Sequence, residues 1–267
     1  MNSPIPANST FAPDLAFHDF NDGTRGPYHG NDSNLSYPDD PTGTGHGKVA
    51  RIYYAPTSAN RSDDEHINWF AGDAGKIRYG RTIWFKGEVY FPTNPLGDPN
   101  WNANDGRKVL DWQGHSDDGW TPGGARWYLG RGPNGNIQGS PISLAVEVID
   151  YGNSHYLAWF AENLLPFDTW HTIEVRMITN SADGVHDGSL AFWIDNPTDT
   201  PTFETPHTLY FINEAWAPIN AYTGLPVAGS YFNDLQVGAQ LTNDQGALNT
   251  EYRYWDNIGF STTRIGR

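Results

Sequence analysis

The chain has 267 residues, with 16 Lys and Arg against 31 Asp and Glu, a formal charge of −15 and no Cys. The length suits one large domain or two small ones with ample core. The missing Cys excludes a disulfide scaffold and thiolate chemistry, and the acidity excludes a nucleic-acid or anionic-membrane partner, which needs a basic face. No apolar run approaches the roughly 18 residues that cross a bilayer.

Met1 to Pro13 are polar and Pro-rich. Residues 1–16 read as an N-terminal extension to a single domain over 17–267, expected to be secreted and monomeric. Only 8 acidic residues are Glu and only 4 basic ones are Lys, whereas there are 23 Asp, 29 Gly and 19 Pro. Straight-chain helix formers are scarce and turn formers abundant. Runs rich in Val, Ile, Tyr, Phe and Trp between turn clusters predict strands. In chain order these are Val49–Tyr54, Thr82–Phe91, Lys108–Trp112, Arg126–Leu129, Ile142–Tyr151, His155–Ala161, Trp170–Ile178, Ser189–Ile194, Leu209–Ile212, Leu235–Leu241 and Tyr252–Phe260. Eleven strands without an amphipathic helix imply an all-β fold, a jelly roll or sandwich of two packed antiparallel sheets with a concave groove.

Alternation assigns faces within the strands. In Trp170 to Met177, Ile173, Val175 and Met177 form the apolar side, and Thr172, Glu174 and Arg176 face solvent or a groove. In Leu235 to Leu241 the apolar set is Leu235, Val237, Ala239 and Leu241. Gln236 and Gln240 then flank Gly238 on the other face, a flat hydrogen-bonding surface on which a sugar ring can lie. Trp101 and Trp120 sit in Gly-, Asp- and Asn-rich loops with little apolar company, the setting of an aromatic platform for a sugar.

The order of these segments resembles the concanavalin-A-like jelly roll of polysaccharide lyases, particularly the heparin-lyase-I and glucuronan-lyase-like groups. The likeness rests on Asp19 to Thr24, Trp84 to Pro92, Lys108 to Gly114, Trp170 to Val175, Asp187 to Asp195 and Tyr254 to Ile258. These segments are specific for the fold and less so for the reaction. The resemblance implies β-elimination on a uronic-acid-containing glycan. Such a site neutralises the uronate carboxylate, removes the C5 proton and protonates the leaving O4. On this chain it implies Gln113 as neutraliser and His115 or His66 as proton-transfer group. The late family strand reads Lys, any, Gly, any, Tyr, and Gln236, Gly238 and Gln240 stand at those positions here. Gln cannot transfer a proton, so either the acid passes to Tyr231, Tyr252 or Tyr254, or the chain is not a lyase of that mechanism. Arg51, Lys108, Arg126, Arg131 and Arg176 supply a local cationic patch, and Tyr128 is placed with this binding set. The fold family also implies a structural calcium where the first and last strands meet, with Asp19, Asp22 and Asp256 as oxygen ligands.

Two alternatives carry their own residues. A glycoside hydrolase needs two carboxylates about 5 Å apart, or somewhat further for inversion, and Glu147 with Glu174 from neighbouring strands is the candidate pair. A non-catalytic carbohydrate-binding module needs only the aromatic and Gln side chains. No three-His or His/Glu cluster in the sequence suggests zinc.

Overall fold

The computed structural model describes residues 14–30, 34–54, 67–70, 77–92, 108–115, 122–131, 142–150, 155–212, 231–238 and 251–266. Among these there is no helix. Fifteen strands form two sheets, and every ladder between them is antiparallel.

The eight-stranded sheet runs β13 (Phe203–Glu204), β12 (Ser189–Ile194), β11 (Trp170–Ile178), β6 (Thr82–Tyr90), β15 (Glu251–Ser261), β4 (Ala50–Tyr54) and β3 (Leu35–Ser36), with β1 (Ala16–His18) also pairing with β15. The seven-stranded sheet runs β10 (His155–Leu165), β9 (Ile142–Asp150), β8 (Pro122–Arg131), β7 (Lys108–His115), β14 (Tyr231–Val237), β5 (Ile67–Phe70) and β2 (His29–Gly30). Among the described residues the first strand pairs with the last through Ala16 and Phe260.

Aromatic side chains from both sheets fill the space between them. Phe260 of the eight-stranded sheet lies 4.8 Å from Trp69 and 5.9 Å from Trp112 of the other sheet, and 5.3 Å from Phe85 of its own. Trp112, Phe260, Phe85 and Trp255 are fully buried. Rings of this size dominate core energetics through the area that they remove from water. Gly87 permits the packing: a Cβ there would stand 2.8 Å from the Phe85 ring and 3.3 Å from Trp255.

The alternation reads correctly in the long strands. Ile173, Val175 and Met177 on β11 and Leu235 and Val237 on β14 are all fully buried. Two expectations need correction. Leu209–Ile212 forms no strand, making a single bridge from Leu209 to Gly188. The strand that overlaps the run Leu235–Leu241 is Tyr231–Val237, and Gly238 follows it at φ +72°, a left-handed backbone, with 239–241 outside the described residues. The very short strands β1, β2, β3, β5 and β13 escape a pattern search because two to four residues carry no period.

Candidate functional site

On β7, Leu110 and Trp112 point into the core, so Asp111, Gln113 and His115 occupy positions on the outer face of the seven-stranded sheet. Directly paired residues of antiparallel strands share a face, and the ladder therefore extends this assignment sideways. One row runs Asn68, Gln236, Asp111, Tyr128, Glu147 and Leu157. The adjacent row runs Phe70, Asp234, Gln113, Arg126, Ile149 and His155. Beyond a bulge between Phe232 and Asp234, Tyr231 stands opposite His115. The register thus gathers Gln113, His115, Arg126, Tyr128, Glu147, Tyr231 and Gln236 on one face, and Lys108 begins the same strand opposite Gly130. Asp111 and Gln236 are buried there although they do not point into the core. His66, Trp101, Trp120, Arg131's neighbouring loop and Gln240 lie outside the described residues.

The other candidates belong to the eight-stranded sheet and are not brought to this face. Glu174, on β11, accepts from the Arg264 guanidinium at 2.7 Å and 2.9 Å. That contact draws the Arg264 side chain further into its charged range, since the cation is the form that Glu174 binds. Arg176 pairs with Glu204 and, with Arg264, lies over the Trp84 and Trp193 rings. Arg51 donates to the Ser36 hydroxyl at 3.0 Å and lies over Tyr252, and Tyr254 packs edge-on against Tyr90. Glu174, Arg176, Arg51, Tyr252 and Tyr254 therefore lie on a different sheet from Gln113 and Gln236. The hydrolase pair fails for the same reason: Glu147 and Glu174 sit on different sheets, each at a position facing away from the shared core. Strand parity shows which residues leave the core side, but says nothing about which sheet they leave.

His171, read in the sequence as a structural residue, is one. It is buried, with Nδ1 2.6 Å from Asp195 and Nε2 2.7 Å from the Pro166 carbonyl.

The calcium set is also redistributed. Asp19 accepts from the Asn21 amide and Asp22 from the Thr24 amide and hydroxyl, so both cap a local turn. The carboxylate of Asp256 instead meets His46 and Glu88, and the potential ligand atoms of these three lie within 4.8 Å of one another. A site for calcium calls for six to eight oxygen donors; an imidazole with two carboxylates does not fit it. His46 Nδ1 is 2.8 Å from Asp256 Oδ2 and 3.4 Å from Glu88 Oε2. Burial pushes the Asp256 carboxyl up to about 6, against the lowering effect of the His46 contact. Burial alone would lower the His46 pKa, but the contacts with Asp256 and Glu88 outweigh it and hold it above its usual value. His46 and Glu88 escaped sequence reasoning because 42 residues and a Gly-rich loop separate them, leaving no local spacing to detect.

No protein-family model matches the chain, and no curated protein matches it. Solved structures do. An alginate lyase, Aly36B, bound to an alginate trisaccharide superposes with a TM-score of 0.56 at 12% identity, over 88% of this chain and 87% of that one. The endo-β-1,4-glucuronan lyase of the fungus Trichoderma reesei gives 0.55 at 12% identity, over 97% and 95%. The fold is that of jelly-roll polysaccharide lyases. It is shared more widely: the binding domain of Paraclostridial Mosquitocidal Protein 1 gives 0.51 at 7% identity, over 89% of this chain and 44% of that one.

Proposed function

We propose that this protein is a secreted polysaccharide lyase that cleaves a uronic-acid-containing glycan by β-elimination on the outer face of the seven-stranded sheet. The observation that carries this reading is the register that sets Gln113 beside Arg126, and Tyr231 opposite His115, on one face. The lyases of alginate and glucuronan that share the fold support it.

The chemistry assigns the roles. Removing the proton from C5 of a uronate leaves charge that spreads onto the carboxylate, so a donor aimed at that carboxylate stabilises the transition state. Gln113 and Arg126 supply an amide and a guanidinium for it. A base takes the C5 proton, the C4–O4 bond breaks, a C4=C5 double bond forms, and an acid returns a proton to the leaving O4. Across the ladder, His115 supplies an imidazole as base and Tyr231 a phenol as acid.

Incubation with glucuronan and alginate tests the reading. The expected product carries an unsaturated uronyl end that absorbs in the near ultraviolet. New reducing ends without that absorbance contradict it. A second reading is a non-catalytic carbohydrate-binding module, since the fold also occurs in a domain described as a binding domain; such a module is retarded in affinity electrophoresis on a polyuronate and forms no product.

A further inference from the structure

Away from the seven-stranded sheet, three metal-ligating side chains converge on the outer face of the eight-stranded one. Glu88 and Asp256 are cross-strand partners on β6 and β15, just before a bulge in that ladder, and both are buried. His46 reaches them from the loop between β3 and β4, and its side chain keeps 18% of its surface in solvent, which leaves a way in. We propose that His46, Glu88 and Asp256 bind a first-row divalent transition ion, with zinc the best match, and not calcium.

The donor set carries the choice of ion. Imidazole nitrogen with two carboxylates suits zinc and its neighbours, whereas calcium takes oxygen alone. With His46 neutral, the two carboxylates balance a 2+ ion, and this balance relieves the burial of two like charges side by side. A tetrahedral ion about 2.1 Å from each donor spaces those donors about 3.4 Å apart. The His46–Glu88 separation of 3.4 Å already has that value, and the His46–Asp256 hydrogen bond of 2.8 Å has to open by only about 0.6 Å. Metal replaces the shared proton, and a water completes the set.

The surroundings fix the ligands in place. Asn257 Nδ2 donates to Glu88 at 2.7 Å and to Asp256 at 3.1 Å, orienting both carboxylates, and the Asn257 backbone holds a left-handed φ of +49° to do so. The His46 ring stacks on Trp170 at 4.2 Å, and the Trp170 indole N–H donates to Asp40. Asp40 also accepts from the backbone amides of Thr42, Thr44 and His46, so the loop that presents the imidazole is itself tied down. Such outer contacts are what hold metal ligands in a productive geometry.

Chelator-treated full-length protein titrated calorimetrically with zinc alone, and separately with calcium alone, tests the proposal. One zinc per chain is expected, with a rise in melting temperature, and calcium producing neither. His46→Ala is expected to abolish zinc binding and Asn257→Ala to weaken it about tenfold. Cobalt(II) added to the unmodified protein gives a second readout that requires no variant: visible d–d bands of a four-coordinate nitrogen and oxygen site. No zinc binding, zinc binding that survives His46→Ala in a folded protein, a preference for calcium, or cobalt bands of a free aquo ion each overturns the proposal.

Discussion

The outer faces of the two sheets are built from similar polar residues and put them to different use. On the eight-stranded sheet the charges are matched within the protein: Arg264 with Glu174, Arg176 with Glu204, and His46 with Asp256 and Glu88. The seven-stranded sheet instead lines up amide, carboxylate, guanidinium, phenol and imidazole positions in adjacent rows, with Asp111 and Gln236 buried away from the core. Under the proposed function, the face that gathers proton-transfer and carboxylate-binding positions in register is where a substrate is expected.

The sharpest way to break that contrast is to change both faces and measure both properties. On the seven-stranded sheet, His115→Ala and Tyr231→Phe are each expected to lower kcat for product formation by roughly 10²- to 10⁴-fold, with thermal stability little changed. On the other sheet, Arg264→Ala leaves the buried Glu174 carboxylate without its bidentate partner and is expected to cost about 2–3 kcal/mol in denaturant unfolding, with kcat on the folded fraction preserved. Gly87→Ala drives a methyl group against Phe85 and Trp255 and is expected to cost about 1–3 kcal/mol by the same measurement.

The smallest effect is in acid. Burial would raise the Asp40 carboxyl, but the hydrogen bonds from Thr42, Trp170 and Thr44 outweigh it and hold the group well below its usual range. Asp14 is lowered in the same sense: slight burial opposes, and bonds from Thr262 and Ser261 prevail. A group whose folded pKa is depressed contributes stability above its unfolded value and loses it as pH falls through the folded one. The Asp40 and Asp14 contributions are therefore expected to be present above about pH 4 and to be lost below it, read as a fall in melting temperature. Asp40→Asn is expected to flatten that decline.

The fold was legible because its long strands alternate cleanly: Ile173, Val175 and Met177 of β11 could be assigned to a core from their spacing alone, and they are there. The run Ser189–Ile194 was legible as a strand by its apolar continuity, and all six residues are buried, since Arg176 and Arg264 cover Trp193 from outside. Of the candidate site residues, Gln113, His115 and Gln236 share one face because two strands distant in sequence are neighbours in the sheet. Glu174 and Arg176 have the same outward parity and lie on the other sheet, since period-2 alternation carries no information about strand order. Asp256 was picked out as a metal ligand by resemblance, whereas the residues that it meets, His46 and Glu88, come from a loop and a strand that only the folded chain brings together.

The most direct test of the central claim is product analysis of polyuronate digests by wild type and by two variants, Gln113→Ala and Arg264→Ala. The expected result is an unsaturated uronyl product from wild type, nearly none from Gln113→Ala, and wild-type yield per folded molecule from Arg264→Ala. Full product from Gln113→Ala together with loss of product from folded Arg264→Ala would place the chemistry on the other sheet and contradict the account.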